Sequence, residues 1–138
     1  MIQYIQGAEI ASAALTTLYD SVGWYAYTRS PQKMAGLLPG SLWHLSAWES
    51  DRLVGLLRAV GDGVSIVYIQ DILVHPDHQR RGIGRELLQR ALDRYAQIRQ
   101  VVLMTDSEEK TLSFYRSVGM SPVQDVDCTA FMRINHKG

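Results

Sequence analysis

Cysteine occurs once, at Cys128, so no internal disulfide can form and the usage fits a reducing compartment. An excess of charge is also missing. Lys and Arg number 14, as do Asp and Glu, so no net field draws the chain to nucleic acid or to an anionic membrane. No apolar run approaches the ~20 residues that span a bilayer. The start, Met1-Ile2-Gln3-Tyr4-Ile5-Gln6-Gly7, lacks the charged and apolar regions of a secretory leader. Repeats, low-complexity tracts and linkers are absent too. The expectation is a cytoplasmic protein of one domain, residues 1–138, with no nucleic-acid or membrane partner. Its 46% hydrophobic content is ample for a core at this length.

Two familiar phosphate motifs are excluded. There is no Gly-x-x-x-x-Gly-Lys-Ser/Thr, and Gly82-Ile83-Gly84 runs into Arg85-Glu86-Leu87 without the third Gly of a dinucleotide fingerprint. His75 and His78, with Asp71 nearby, find no third ligand at a recognised spacing, so no metal is expected. Nothing around Cys128 marks it as an activated nucleophile.

The chain does carry an ordered alternation of elements. Ile2 to Ile5 alternates like a first strand, and Ala8 to Asp20 puts Ile10, Ala14 and Leu18 on one helical face. Ser21 to Tyr27 gathers Trp24, Tyr25 and Tyr27 beside Gly23; such a cluster lines a substrate pocket or packs under a loop. Ser30-Pro31 caps a short helix through Leu38. Leu42 to Trp48, Arg52 to Val60 and Val64 to Val74 read as strands joined by short polar or glycine-bearing turns, hence antiparallel neighbours. A helix from Gly82 to about Ile98 leads to a strand at Val101 to Thr105, and that crossover predicts a parallel pair. Glu108 to Val118 is a helix ended by Gly119, Thr129 to Ile134 a final strand, and His136 to Gly138 a frayed end.

The most informative stretch is Ile69 to Leu92. A β-branched run ends at Val74, and His75-Pro76-Asp77-His78 turns the chain. Ile83, Leu87, Leu88, Ala91, Leu92 and Tyr95 then fall at helical spacing. Between turn and helix lies Gln79-Arg80-Arg81-Gly82-Ile83-Gly84. Backbone amides at a helix start have no intrahelical partner, and the helix dipole behind them favours an anion such as phosphate. Glycines let the backbone come close to it, and two adjacent arginines supply further positive charge.

This strand, Pro-bearing turn and Gln/Arg-x-x-Gly-x-Gly helix start resembles the acetyl-CoA signature of the GCN5-related N-acetyltransferases (GNAT). Leu112 to Met120, with Phe114-Tyr115 and Gly119, resembles that family's Phe-Tyr-x-x-x-Gly-Phe segment. The patterns Ser21-Val22-Gly23-Trp24, Tyr68-Ile69-Gln70-Asp71-Ile72 and Leu103-Met104-Thr105-Asp106 resemble a bacterial and plastid subgroup, some of it linked to arylalkylamine acetylation. The resemblance implies an α/β fold, a mixed sheet of about six to seven strands flanked by about four helices. It implies acetyl-CoA as cosubstrate, without metal. Ile72, Leu73 and Val74 would meet the amide arm of the cofactor through their backbone. Gln79, Arg80, Arg81, Gly82, Ile83, Gly84 and Arg85 would hold its phosphates, and Phe114 and Tyr115 would lie against it. Tyr115 falls where the family often places the acid that protonates the leaving thiolate, although a core tyrosine is the alternative.

The base is less legible. Many relatives carry a glutamate at the position of Tyr68, and many carry an Asn near Glu108; both are departures. Asp71 is the remaining acid in the strand. An aspartate among Ile69, Ile72, Leu73 and Val74 is either paired or functional. Trp24, Tyr25, Tyr27 and Tyr68 are the candidate acceptor contacts. The expected reaction is direct transfer of acetyl to a primary amine of a small molecule. The rivals are a protein acetyltransferase acting on lysine or an N-terminus, and a CoA-binding regulatory module without turnover. The sparsely charged last strand is an edge on which a homodimer could pair.

Overall fold

The computed structural model describes Met1–His136; Lys137 and Gly138, part of the expected frayed end, lie outside the described residues. The chain divides into two compact units, Met1–Leu103 and a second beginning at Met104.

The first unit is one five-stranded sheet with helices on both faces. Strands β1 (Ile2–Gln6), β2 (Trp43–Glu49), β3 (Arg52–Gly61), β4 (Ile66–Val74) and β5 (Gln100–Leu103) lie in sequence order. All neighbours are antiparallel except β4 and β5, which are parallel as the crossover requires. The β3–β4 turn is tied by Asp62, whose carboxylate accepts from the amides of Val64, Ser65 and Ile66.

On one face lie α1 (Ser12–Ser21), α2 (Tyr25–Thr28) and α3 (Pro31–Leu37). Their Leu15, Leu18, Tyr19 and Met34 pack on Leu53, Leu56 and Leu73 of the sheet. Ser30 accepts from the Lys33 amide and Pro31 opens α3, the cap its sequence predicts. On the other face, α4 (Ile83–Arg94) buries Ile83, Leu87, Leu88 and Ala91. These fall four, five and eight residues from the first, a single stripe. Gly55 of β3 lies under that helix start. A Cβ there would come 3.2 Å from Ile83 Cγ2 and 3.4 Å from Ala47 Cβ.

A bulge in the β3–β4 pair decides which side chains share a face. Arg58 is opposite Asp71 while Ala59 is opposite Ile69, so Gln70 has no partner across the ladder. One extra residue reverses the alternation. Ala59 and Val67 therefore pack with Tyr95, below α4, whereas Arg58, Asp71 and Leu73 face α1 to α3.

The second unit holds α5 (Glu109–Ser117), closed by Gly119 at φ 93° with the Met120 amide on the Tyr115 carbonyl. Two expectations fail. The described residues contain five strands and five α-helices, against six to seven and about four. No strand forms over Thr129 to Ile134; Phe131 is 94% exposed, with Met132 and Ile134 also exposed, so the edge proposed for homodimer pairing is absent. The additional helix is α2, which the aromatic cluster masked because its four residues bury no side chain.

Candidate active site

The loop before α4 has the backbone that its residues imply. The Pro76–His78 turn delivers the chain to Gln79 in extended geometry, Arg80 at φ 65°, and Gly82 at φ 81° as the helix N-cap. A positive φ at a non-glycine residue costs energy and is found where the surroundings impose it. No side chain caps α4, so its first amides are free to take an anion. A Cβ on Gly82 would meet nothing within 4 Å, so the space over this helix start is open.

The two arginines differ. Arg81 Nη2 donates to Glu49 Oε2 at 3.1 Å, and His78 Nε2 lies 3.3 Å from Glu49 Oε1. These two hydrogen bonds hold the Glu49 carboxyl below its usual range. Arg80 has no partner among the described residues. Arg80 is thus exposed and unengaged, whereas Arg81 is held by Glu49. Gln79 Nε2 donates to the Val74 carbonyl at 3.0 Å and fastens the loop to the strand end.

The edge of β4 is the second half of the site. β5 pairs only with Ile66 to Ile69, so within this unit Gln70 to Val74 have no strand on that side. The His75 amide donates to the Val54 carbonyl at 2.8 Å, beside the Gly55–Val74 pair. In an antiparallel ladder this makes Gly55–Val74 a pair without mutual hydrogen bonds, and Val74 turns its N–H and C=O outward. Ile72, two residues back, does the same. Leu73 turns its amide and carbonyl to Leu56, so its backbone does not reach the open edge, contrary to expectation. With the Val74 carbonyl held by Gln79, the edge offers the Ile72 N–H and C=O and the Val74 N–H.

Asp71, 3% exposed, is fully engaged. Its Oδ2 accepts from Arg58 Nε at 2.9 Å and from the Tyr19 hydroxyl at 2.8 Å, and its Oδ1 accepts from the Tyr27 hydroxyl at 2.7 Å. Of the two readings open for an aspartate in an apolar strand, the structure has the paired one. Burial alone would lower the Arg58 pKa, but the facing carboxylate outweighs it and holds the guanidinium above its ordinary value. Burial, with Asp71 close by, pushes both phenols up. Both oxygens of this carboxylate are thus engaged by protein donors.

Of the expected acceptor contacts, Trp24 and Tyr27 come together, their rings 6.3 Å apart and each edge-on to Tyr19. Tyr68 shares their face of the sheet, and burial followed by the Asp71 charge raises its pKa. Tyr25 is 56% exposed. In the second unit, the rings of Phe114 and Tyr115 pack edge to face at 5.1 Å. Burial raises the Tyr115 pKa, partly opposed by a hydrogen bond with Thr105. Among the described residues no group of His, Cys, Asp and Glu could hold a metal.

Sequence reasoning missed Arg58, Tyr19, Gln70 and Glu49. A signal existed for the first: Arg58 interrupts an apolar strand as Asp71 interrupts the next, and opposite charges in adjacent buried strands find one another.

The profile of the acetyltransferase (GNAT) family matches residues 8–120, more than half of the chain. The chain belongs to the GNAT family. Among solved structures, the GNAT-family acetyltransferase SP0256 of Streptococcus pneumoniae superposes with a TM-score of 0.86 at 36% identity, covering 99% of this chain and 100% of that one. The uncharacterized N-acetyltransferase ycf52-like of Prochlorococcus marinus is 36% identical over 112 residues, 76% of this chain and 59% of the relative. Histone acetyltransferase TAP1 of Glycine max is 30% identical over 132 residues, 86% of this chain and 55% of the relative. This GNAT chain thus spans less than two thirds of the length of those two relatives.

Proposed function

We propose that the chain is an acetyl-CoA-dependent N-acetyltransferase that moves acetyl directly to a primary amine of a small molecule. The observation that carries this reading is the joining of two backbone features. An uncapped, glycine-lined helix start with Arg80 beside it suits phosphate, and the open edge of β4 at Ile72 and Val74 suits an amide-bearing arm. Gln79, which ties one to the other, keeps them in fixed relation. Ile83, Gly84 and Arg85 form the first turn of α4 and belong to the phosphate side of the same proposal, as does Arg81 through its place beside Glu49.

When bound, acetyl-CoA supplies the acetyl group as a thioester. An alkylamine titrates near 10.4, so at neutral pH roughly one molecule in a thousand or fewer is nucleophilic; deprotonation comes through solvent, since both Asp71 oxygens are engaged by protein donors. Asp71 instead orders the acceptor side. A backbone amide at the β4 edge can stabilise negative charge on a carbonyl oxygen. Tyr115 is the proton donor for the departing thiolate, and the phenolate left behind regains its proton from solvent. Its raised pKa keeps that proton in place at neutral pH. Phe114 packs on it and fixes its ring.

Trp24, Tyr27 and Tyr68 are the acceptor contacts of this reading. The relation to a protein named histone acetyltransferase favours a second one, transfer to a lysine side chain. Assembly as a homodimer would cover Phe131, Met132 and Ile134. The test is CoA release from acetyl-CoA with a panel of small amines and lysine-bearing peptides, set beside binding of acetyl-CoA alone. Turnover with small amines supports the proposal, turnover with peptides only supports the second reading, and binding without turnover leaves a CoA-binding module.

A further inference from the structure

We infer that the buried Arg58–Asp71 pair, acting through the Tyr27 hydroxyl, fixes α2 as the wall past which the acceptor amine enters, making Tyr27 a positioning residue for that amine. The inference rests on the acetyl-transfer reading above. Helix α2 cannot hold itself. It has four residues, none buried, whereas an isolated helix needs ~12–15 to be even marginal. Its attachments are therefore the side chains that tie it to the sheet.

Those attachments converge on one oxygen. The Tyr27 hydroxyl donates to Asp71 Oδ1 at 2.7 Å and accepts from Gln70 Nε2 at 3.2 Å and from Arg58 Nη2 at 3.5 Å. One donor and two acceptor sites are all that a phenol has. With every site used, Tyr27 has no proton chemistry to offer and its role is geometric. The tyrosine ring adds an edge contact with Tyr19 at 5.0 Å, and Trp24, at the start of α2, meets the same ring at 5.8 Å. Tyr19 in turn donates to Asp71, so a single carboxylate gathers α1, α2 and β3.

The bulge places this knot. Were Gln70 paired in the ladder instead of bulged, regular alternation would put Asp71 on the α4 face with Ile69, away from Arg58 and both phenols. Gln70 is also the first residue of β4 beyond the last one paired with β5. The Tyr27 anchor therefore sits where the open edge begins, two residues before the outward-facing Ile72 backbone. An acyl group held along Ile72 to Val74 has Tyr27, Trp24 and Tyr68 on the approach side of the sheet. Aromatic faces there would receive the apolar body of an amine and, before deprotonation, its ammonium.

Tyr27→Phe removes the hydroxyl and keeps the ring. Deuterium exchange of backbone amides in the acetyl-CoA-bound enzyme should quicken about tenfold or more over residues 25–29, as expected for losing a hydrogen bond to a charged group, with Leu56, Leu57 and Leu73 unchanged. For the best acceptor in a primary-amine panel that includes 2-phenylethylamine, KM should rise by a similar factor while kcat stays within about twofold. Acetyl-CoA affinity by calorimetry should not move. Gln70→Ala, at an exposed side chain, should give a smaller change of the same kind and serves if the first variant does not fold. Unchanged exchange over 25–29 overturns the anchoring, and a loss confined to kcat overturns the acceptor-side placement. If the wild type acetylates no amine, the reaction proposed above fails instead, and the exchange comparison still decides whether the pair anchors α2.

Discussion

Glu49, on the second strand, holds Arg81 from the loop before α4 at 3.1 Å, and the same carboxylate takes His78. The sheet thus grips the loop from behind while leaving Arg80 without a partner among the described residues. A guanidinium bound to phosphate makes charge-assisted hydrogen bonds, each of about 1.5–3 kcal/mol. Arg80→Ala should therefore weaken acetyl-CoA binding about tenfold or more, and Arg81→Ala by less. Isothermal calorimetry at fixed ionic strength decides it; equal losses would show that Arg81 leaves Glu49 to bind.

Gly82→Asp should abolish measurable acetyl-CoA binding by placing a carboxylate over the uncapped amides. Gly82→Asn, which tolerates the left-handed conformation without a charge, should keep the fold and part of the affinity. Both variants would be compared by circular dichroism and calorimetry, and intact affinity in Gly82→Asp argues against a phosphate at this helix start.

Tyr115→Phe should bind acetyl-CoA normally and slow the chemical step by about a hundredfold or more, the usual size for a positioned acid. Burial raises the phenol, so its protonated form persists above the free-tyrosine value of about 10. In the wild type the rate should fall only at still higher pH, as that proton is lost, and this limb should disappear in the variant. Single-turnover kinetics across pH reads the step directly. Identical profiles would make Tyr115 a packing residue.

Asp71→Asn should destabilise the protein by about 3–5 kcal/mol, because it leaves the Arg58 guanidinium buried without its carboxylate. The double variant Arg58→Met, Asp71→Leu should recover most of that loss. Urea denaturation gives both values. A single variant as stable as wild type would mean that water reaches the pair.

Light scattering at micromolar concentration should give the mass of a dimer, and Phe131→Glu should give that of a monomer. The side chain is nearly fully exposed, so the substitution costs the isolated chain nothing in its core. A wild-type monomer rules the assembly out.

The parts legible in the sequence were those with a period or a fixed residue type. Strand, turn and helix from Ile69 to Leu92 rest on Val74, Pro76 and the Ile83-Leu87-Leu88-Ala91 stripe, and Gly119 marks its helix end. The bulge at Gln70 was invisible, since an extra residue alters the facing of neighbours without altering composition. Helix α2 was hidden for a related reason: tertiary anchors hold it, and propensity does not. Asp71 could be read as paired or reactive, and only the fold supplied Arg58. At Thr129 to Ile134, β-forming residues predicted a strand, but propensity makes none without a neighbour to pair with.

Gly55 works as a spacer of zero thickness. Ile83, the first residue of α4, rests on it, and the next contact with a methyl group would be at 3.2 Å, closer than its neighbours accept without moving by a few tenths of an ångström. The height of the helix start above the sheet is thus set from the sheet side, by a residue outside the loop itself. Anything that lifts Ile83 lifts the amides of Ile83 and Gly84 with it, while Gln79 keeps the loop tied to Val74. If the α4 start holds phosphate as proposed, a side chain at this strand position should weaken acetyl-CoA binding by shifting those amides.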